Sequence, residues 1–436
     1  MWKINDRLDF KPTEEIIALQ EIALQKQINY LYANSAYYKK LLDTNNIDPI
    51  SIKSIADLTQ IPTTSKVDMG KNNTSFQCVP KTEIIEYVTT SGTLGSPIVI
   101  ALTKNDLKRL AYNEKRSLKI AGITKEDTIQ ITTTLDKMFM AGMAYYTGAV
   151  SLGASVIRSG IGNPAPQWAF IKQFKPTVTI AVPSFLYKLV KYALANKINP
   201  NKSSILKAIC IGEPIRNNDF TPNKLYQKLS DKWPINLYST YASTEMMTAF
   251  TECDAHSGGH LLPELVIIEI LDKDGKPVTN GELGEVTITP LGVEGTPVLR
   301  YRTGDLARTH TKKCTCGRNT LRLGPIEARK NQMIKLKGTT IFPQSIEEIL
   351  VSFDQIEHYV IEISSSTINT DTIQIYLSDR LNSELVKTLQ KQFVDSLRVT
   401  PKIIRVSNLE LIHMLHPEGT RKPKKIIDIR KGTVHE

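Results

Sequence analysis

The stretch 87-YVTTSGTLGSPIVIAL-102 places a cluster of hydroxyl side chains and two glycines between a β-rich run and a second apolar run. Two readings compete for it. Ser, Thr and Gly cluster in ordinary turns between periodic segments. The same residues also build an anion cradle, in which glycine lets the backbone approach a phosphate while amides and hydroxyls donate to its oxygens. The Lys-Ser/Thr ending of a Walker loop is missing, and the stretch alone leaves the two readings level.

On either side the pattern is α/β. From about 84 to 250, β-rich runs (EYVTTSG, DTIQITTT, ASVIRS, PTVTIAV, AICIG, INLYSTY) alternate with helical ones (KNDLKRLAYNEKRSLKIAG, FLYKLVKYALAN), as in a domain with much parallel sheet. Upstream, the apolar spacing over 13–43 predicts one or two amphipathic helices. Near 262 the pattern changes. LVIIEILDKDGKPVTNGELGEVTITPL reads as two strands around Asp-Gly and Asn-Gly turns, a β-rich insert. Beyond about 330 a helix at 344–353, strands near 358–364 and 372–377, a helix at 382–397 and a strand at 402–407 predict a small α+β domain joined at 329-RKNQ-332. The expectation is a large N-terminal α/β domain, 1–329, with mixed sheets and a β-rich insert, and a small mobile C-terminal domain, 332–436.

The 436 residues exceed the ~250 to 300 at which single cores stop growing, which agrees with two domains. Hydrophobic content of 41% and charged content of 23% are globular values. The opening MWKINDRLDFKPTEE lacks a signal-peptide pattern, and no apolar run reaches the ~20 residues of a membrane span, so a soluble cytoplasmic protein without a membrane partner is expected. The net charge of +11 allows nucleic acid or nucleotide partners. It is spread along the chain except for 421-RKPKKIIDIRK-431, which as a charge run reads as a solvated basic tail.

Three further segments bear on the opening question. In 301-YRTGDLA-307, Asp305 falls in a turn after a strand, where a carboxylate accepts ribose hydroxyls. The segment 238-YSTYASTEMM-247 ends a strand in a hydroxyl-rich loop with Glu245, a hard oxygen ligand suited to Mg²⁺ beside phosphates. In 209-ICIGEPIRN-217 another strand ends in Gly-Glu-Pro. With these in order, and with ARKNQMIKLKGTTIFPQSIEE as a hinge and following helix, the chain resembles the adenylate-forming (AMP-binding) ligases, and among them the phenylacetate-CoA ligase family. The resemblance runs from about residue 13 to the C-terminus.

That resemblance implies a two-step reaction. A carboxylate attacks the α-phosphate of ATP to give an acyl-adenylate and pyrophosphate, then a CoA thiolate takes the acyl group and AMP leaves. It implies that Thr90, Ser91, Gly92, Thr93 and Gly95 hold the β- and γ-phosphates, that Gly212, Glu213 and Pro214 form the adenine-side loop, and that Tyr241, Ala242 and Ser243 of the YASTE motif also bind the nucleotide. Thr244 lies at the α-phosphate, Glu245 binds Mg²⁺, Asp305 binds the ribose, and Arg329 lies between ribose and joint. A lysine of the small domain neutralises the charge developing in adenylation. Aligning 418-EGTRKPKKIIDIR-430 on its end selects Lys422, aligning on Glu-Gly selects Arg421 or an insertion, and Lys424 and Lys425 stay open. The family's usual glycine is Ala242 here, so the backbone there need not have positive φ, and its hinge aspartate is Asn331. The acyl pocket is implied for 136-DKMFMAGMAYYTG-148 and 181-AVPSF-185, through Phe139, Met140, Tyr145, Tyr146, Pro183 and Ser184. A Met/aromatic run at helical spacing is more often core, which is the expectation for at least half of these residues.

Of the five cysteines, Cys253 in 253-CDAHSGGH-260 and Cys314 and Cys316 in 314-CTCGR-318 form a metal-like constellation. With His260, or alternatively His256, they predict a tetrahedral, closed and therefore structural Zn²⁺ site. The alternatives to a CoA ligase are an acyl-adenylate-forming enzyme that loads a carrier protein or amine, and a basic, zinc-stabilised nucleic-acid binder. A homodimer is left open.

Overall fold

The computed structural model describes residues 7–90, 98–332, 334–336, 339–365, 371–397, 399–417 and 423–430. The chain divides into two compact units, Met1–Ile326 and Glu327–Glu436.

The first unit opens with α1 (Thr13–Asn34) and α2 (Ala36–Thr44), followed by β1 (Thr64–Ser65) and α3 (Lys66–Asn72). The opening stretch becomes the antiparallel pair β2 (Ile84–Thr89) and β3 (Val99–Thr103). α4 (Lys104–Ile120) starts in a capping box: Thr103 Oγ1 accepts from the Asp106 amide and Asp106 accepts from the Thr103 amide. The predicted alternation follows as β4 (Thr128–Ile131), α5 (Met140–Leu152), β5 (Ser155–Arg158), α6 (Pro164–Phe174), β6 (Val178–Ala181), α7 (Pro183–Ala195), β7 (Lys207–Ile211), α8 (Lys224–Ser230) and β8 (Asn236–Ser243). β9 (Thr248–Thr251) and β10 (Gly259–His260) turn back antiparallel. The insert forms β11 (Val266–Leu271) and β12 (Gly284–Pro290), then β13 (Tyr301–Ala307), β14 (Thr309–His310) and β15 (Arg322–Leu323) complete the unit.

One sheet has nine strands in the order β14-β15-β10-β9-β8-β7-β6-β4-β5. From β5 to β8 it is parallel, and from β8 to β14 antiparallel. β6 is buried along its whole length, which explains its continuous apolar sequence, since a parallel strand is covered on both faces. A second sheet runs β1-β13-β12-β11. The apolar faces of α1 and α2 belong to the same core cluster as the inner residues of this sheet, such as Leu24, Ile28 and Leu31 with Val266, Val286 and Tyr301.

Three expectations need correction. Of the residues implied for the acyl pocket in the run 136–148, Met140 and Tyr145 lie in α5 and are packed into core clusters, as its helical spacing allows. The helix lies so close to α4 that a Cβ on Gly148 would sit 2.3 Å from the Glu114 Cβ. Asp305 lies not in a turn but inside β13, at a bulge. Glu285 pairs with Leu306 and Thr287 with Arg302, so Val286 faces Thr303, Gly304 and Asp305 together. Gly304 adopts φ +79 there, a left-handed conformation that suits glycine.

In the second unit β16 (Ala328–Arg329) leads to the antiparallel pair β17 (Ile334–Leu336) and β18 (Thr339–Ile341). After α9 (Pro343–Ser352) come β19 (Tyr359–Ser365), β20 (Asp371–Ser378), α10 (Ser383–Leu397), β21 (Lys402–Val406), α11 (Asn408–Leu415) and β22 (Ile426–Asp428). The four longer-paired strands form a sheet in the order β21-β20-β19-β22. The third correction is here. The terminal segment is not wholly a solvated tail, because Ile426 pairs with Ile361 in parallel register and the Lys425 ammonium lies 5.6 Å from the Tyr359 ring centre.

Candidate active site and metal centre

In an open α/β sheet, ligands bind beyond the carboxyl ends of the parallel strands, where side chains leave the layer without breaking the hydrogen-bond ladder. Here the ends of β6, β7 and β8 each carry an expected residue. After β6, Pro183 occupies the first turn of α7, and Ser184 donates through its amide (2.8 Å) and hydroxyl (2.9 Å) to the two oxygens of Glu213, which follows β7. Gly212 makes the turn between strand and carboxylate with φ +75. Glu213 thereby satisfies an otherwise free helix-terminal amide and joins the Gly-Glu-Pro loop to the start of α7. Beyond β8, Thr244 and Glu245 are half-buried. Ala242 is absent from the positive-φ residues and pairs regularly with Ala249, so alanine is accommodated without strain.

Asp305 and Glu245 come from different sheets and are cross-tied. Tyr241 Oη donates to Asp305 Oδ2 at 2.8 Å, and Tyr301 Oη donates to Glu245 Oε1 at 3.3 Å. Burial, then the neighbouring Glu245 carboxylate, pushes the Tyr301 phenol well above its ordinary value, so it stays a donor at neutral pH. Tyr301 opens the YRTGD segment, but strand periodicity gives no sign that its partner is 56 positions away in another motif.

At the hairpin, the Thr90 amide donates to the Ile98 carbonyl at 3.0 Å, while the buried Thr90 Oγ1 has no partner among the described residues. The Thr89 amide donates to Met138, next to Lys137; both have φ +57, which is uncommon for residues with side chains. Phe139 beside them is half-buried. Ser91, Gly92, Thr93, Gly95, Arg421 and Lys422 lie outside the described residues. Arg329 is exposed in β16 of the second unit.

A buried arginine that sequence periodicity hides also supports the site. Arg109 on α4 donates to the carbonyls of Leu291 (2.8 Å), Met247 (2.7 Å) and Leu265 (2.5 Å) and to Thr248 Oγ1 (3.1 Å). It pins the chain two residues after Glu245. Burial lowers its pKa to about 10, so it remains charged at neutral pH.

The metal-like constellation is brought together as a quartet. Ligand atoms of Cys253, His260, Cys314 and Cys316 all lie within 4.8 Å of one another. The edges include 3.7 Å between the sulfurs of Cys253 and Cys314, 3.4 Å from His260 Nε2 to Cys253, and 3.5 Å from it to Cys316. A tetrahedron with ~2.3 Å zinc–sulfur bonds has edges of about 3.8 Å between sulfurs. His260 Nδ1 lies 3.1 Å from Thr320 Oγ1, which leaves Nε2 facing the thiols. Burial, with Arg318 and Arg322 nearby, pushes His260 down to about 3, so the ring is neutral. Burial raises the Cys316 thiol, but the hydrogen bonds with Arg318, Cys314 and Cys253 together outweigh it and hold the group below its ordinary value. His256 is turned away, its ring 3.5 Å from Glu252 and 5.2 Å from the Tyr238 ring.

The AMP-binding enzyme family matches residues 19–293, and its C-terminal domain matches residues 338–430. A phenylacetate-coenzyme A ligase of Thermus thermophilus is 28% identical over 446 aligned positions, covering 97% of this chain and 99% of that one. One of Escherichia coli is 28% identical and covers 82% of each chain. Among solved structures, a 2-hydroxyisobutyryl-CoA ligase in its postadenylation state with an acyl-adenylate superposes with a TM-score of 0.82 at 21% identity, covering 97% of this chain and 91% of that one.

Proposed function

The chain belongs to the AMP-binding enzymes, and from that premise we propose that it activates an aryl, phenylacetate-like carboxylic acid with ATP and passes the acyl group to coenzyme A. The carrying observation is the pair Glu245 and Asp305, brought from two motifs to the end of β8 and held there by tyrosines. One carboxylate suits a metal–phosphate end of a nucleotide and the other a ribose.

The roles follow from chemistry. Adenylation joins two anions, so positioning and charge stabilisation dominate. Thr90, with Ser91, Gly92, Thr93 and Gly95, donates to the β- and γ-phosphates; its buried hydroxyl, without a partner among the described residues, fits a phosphate oxygen. Gly212, Glu213, Pro214, Tyr241, Ala242 and Ser243 line the adenine side, Asp305 accepts from the ribose hydroxyls, and Arg329 serves the ribose side of the joint. Thr244 lies at the α-phosphate. Glu245, a half-buried carboxylate among hydroxyls, is the hard-oxygen donor suited to Mg²⁺, which neutralises phosphate charge when bound. Lys422 stabilises the pentacovalent charge. For the acid, Phe139, Pro183 and Ser184 stay as wall residues, with Met140 and Tyr145 packed behind. The use of ATP and CoA favours a cytoplasmic location; among the described residues no helix is long and apolar enough to cross a membrane.

For the metal centre we propose one structural Zn²⁺ held by Cys253, His260, Cys314 and Cys316. Four protein ligands leave no open position. Its loops also hold the N-terminal segment: Arg318 donates to the buried Asp9 at 2.6 Å, and the Asn319 amide to the Asp9 carbonyl at 2.8 Å.

AMP release from a panel of carboxylic acids, with and without CoA, tests the ligase reading. Phenylacetate or a close aryl acid should give AMP and consume free thiol in equal amounts. Silence across aryl acids would overturn the substrate class. AMP formation without thiol loss would move the acceptor to a carrier protein or amine.

A further inference from the structure

The two nucleotide motifs exchange tyrosines. In YASTE and YRTGD alike, the tyrosine stands four positions before the carboxylate, yet neither serves its own: Tyr241 donates to Asp305 and Tyr301 donates to Glu245. β8 and β13 lie in different sheets, so the exchange ties those sheets at the level of the site. The Tyr301 ring is only 2% exposed, and Tyr38 and Tyr301 are among the largest fully buried side chains. Packing therefore fixes the phenol before any ligand arrives, whereas Glu245 is a half-buried side chain with three rotatable bonds.

We propose that Tyr301 is a positioning residue for the Glu245 carboxylate. It occupies one lone-pair direction of Oε1 and orients the rest of the carboxylate toward the metal–triphosphate, while Tyr241 separately orients Asp305 toward the ribose. The inference rests on the ligase reading, since it presumes a nucleotide with its cation at this site. A group that orients a metal ligand without touching the metal changes affinity through ligand geometry, typically by 10- to 100-fold when removed. Phenylalanine preserves the ring that fills the core and removes only the donor.

The test measures binding, with no turnover. Mn²⁺ binding in the presence of α,β-methylene-ATP is followed by the EPR signal of the free ion, and metal-free AMP binding by calorimetry. Tyr301→Phe should weaken Mn²⁺ by ~10-fold while AMP affinity stays within about twofold of the parent. In a Glu245→Gln background the same substitution should have no further effect, because the ligand it orients is gone. Tyr241→Phe should give the mirror result, weaker AMP with Mn²⁺ unaffected at saturating analogue, and it remains available should Tyr301→Phe fail to fold. Unchanged Mn²⁺ affinity in Tyr301→Phe, or parallel loss of Mn²⁺ and AMP, would overturn the assignment. A parent protein that binds neither AMP nor the Mn²⁺–analogue pair would instead bring down the ligase reading itself.

Discussion

Glu114 carries a carboxyl group into the contact between α4 and α5 with only half of it satisfied. Asn113 Nδ2 donates to Oε1 at 2.9 Å, and Oε2 has no partner among the described residues. Burial pushes its pKa up to about 8, against a hydrogen bond from Asn113 that lowers it. A carboxyl whose folded pKa is raised favours folding below its unfolded value near 4.5, and that advantage is lost as the pH rises through the folded value. Glu114→Gln should therefore gain on the parent between pH 4.5 and 8, by up to ~1.4 kcal/mol per pH unit, and the gap should stop widening above 8. Urea midpoints of both proteins across that range check it, and a gap independent of pH would refute it. At the site, Glu245→Gln should nearly abolish AMP formation with the melting temperature unchanged, because the half-buried amide keeps an oxygen to accept from Tyr301 while the charge proposed to hold the metal is lost. Normal AMP formation in that variant would remove Glu245 from the mechanism.

α4 shows how an element serves the site through its buried face. KNDLKRLAYNEKRSLKI is rich in charge, and a charge-rich helical run ordinarily keeps its arginines in water. Instead Arg109 and Arg116 are buried. Arg116 bonds Glu264 at 2.8 Å and Asp9 at 2.9 Å, and Arg109 holds three carbonyls and a hydroxyl around β8 and the insert. Arg109→Met keeps most of the volume but orphans those buried acceptors, so a loss of at least ~3 kcal/mol is expected, measured as a lowered denaturant midpoint. Nothing local distinguishes Arg109 from an exposed neighbour such as Lys104, because its partners lie from 138 to 182 residues away in sequence. β22 was hidden for a similar reason: a basic stretch reads as solvated until Ile361 offers it a register.

For the molecule as a whole, the Cys253, His260, Cys314 and Cys316 quartet joins two loops of the nine-stranded sheet, and one of these loops holds the N-terminal segment through Asp9. Protein prepared without chelator should hold about one zinc per chain by elemental analysis, and removing it should lower the melting temperature, since binding free energy of a closed site is folding free energy. His260→Ala should lose the metal and His256→Ala should keep it. Metal-free protein from a chelator-free preparation would refute the centre. The second unit is expected to matter by half-reaction. Lys422→Ala should slow adenylation by at least ~10²-fold and spare conversion of supplied acyl-adenylate to acyl-CoA. Equal losses in both steps would assign Lys422 to folding or CoA binding, and a silent variant would shift the role, first to Lys424, because Lys425 packs on Tyr359.

The order of elements, the hydroxyl-rich and carboxylate-bearing segments and the Cys-x-Cys turn are legible in the sequence, because each is written in neighbouring positions, the elements with periods of 2 or 3.6. What only the fold brings about is that Tyr301 donates to Glu245, that Asp305 sits on a bulge, and that His260 and not His256 faces the thiols. Each of those outcomes depends on the register between strands far apart in the chain, and side-chain chemistry acts only once that register has set the distance.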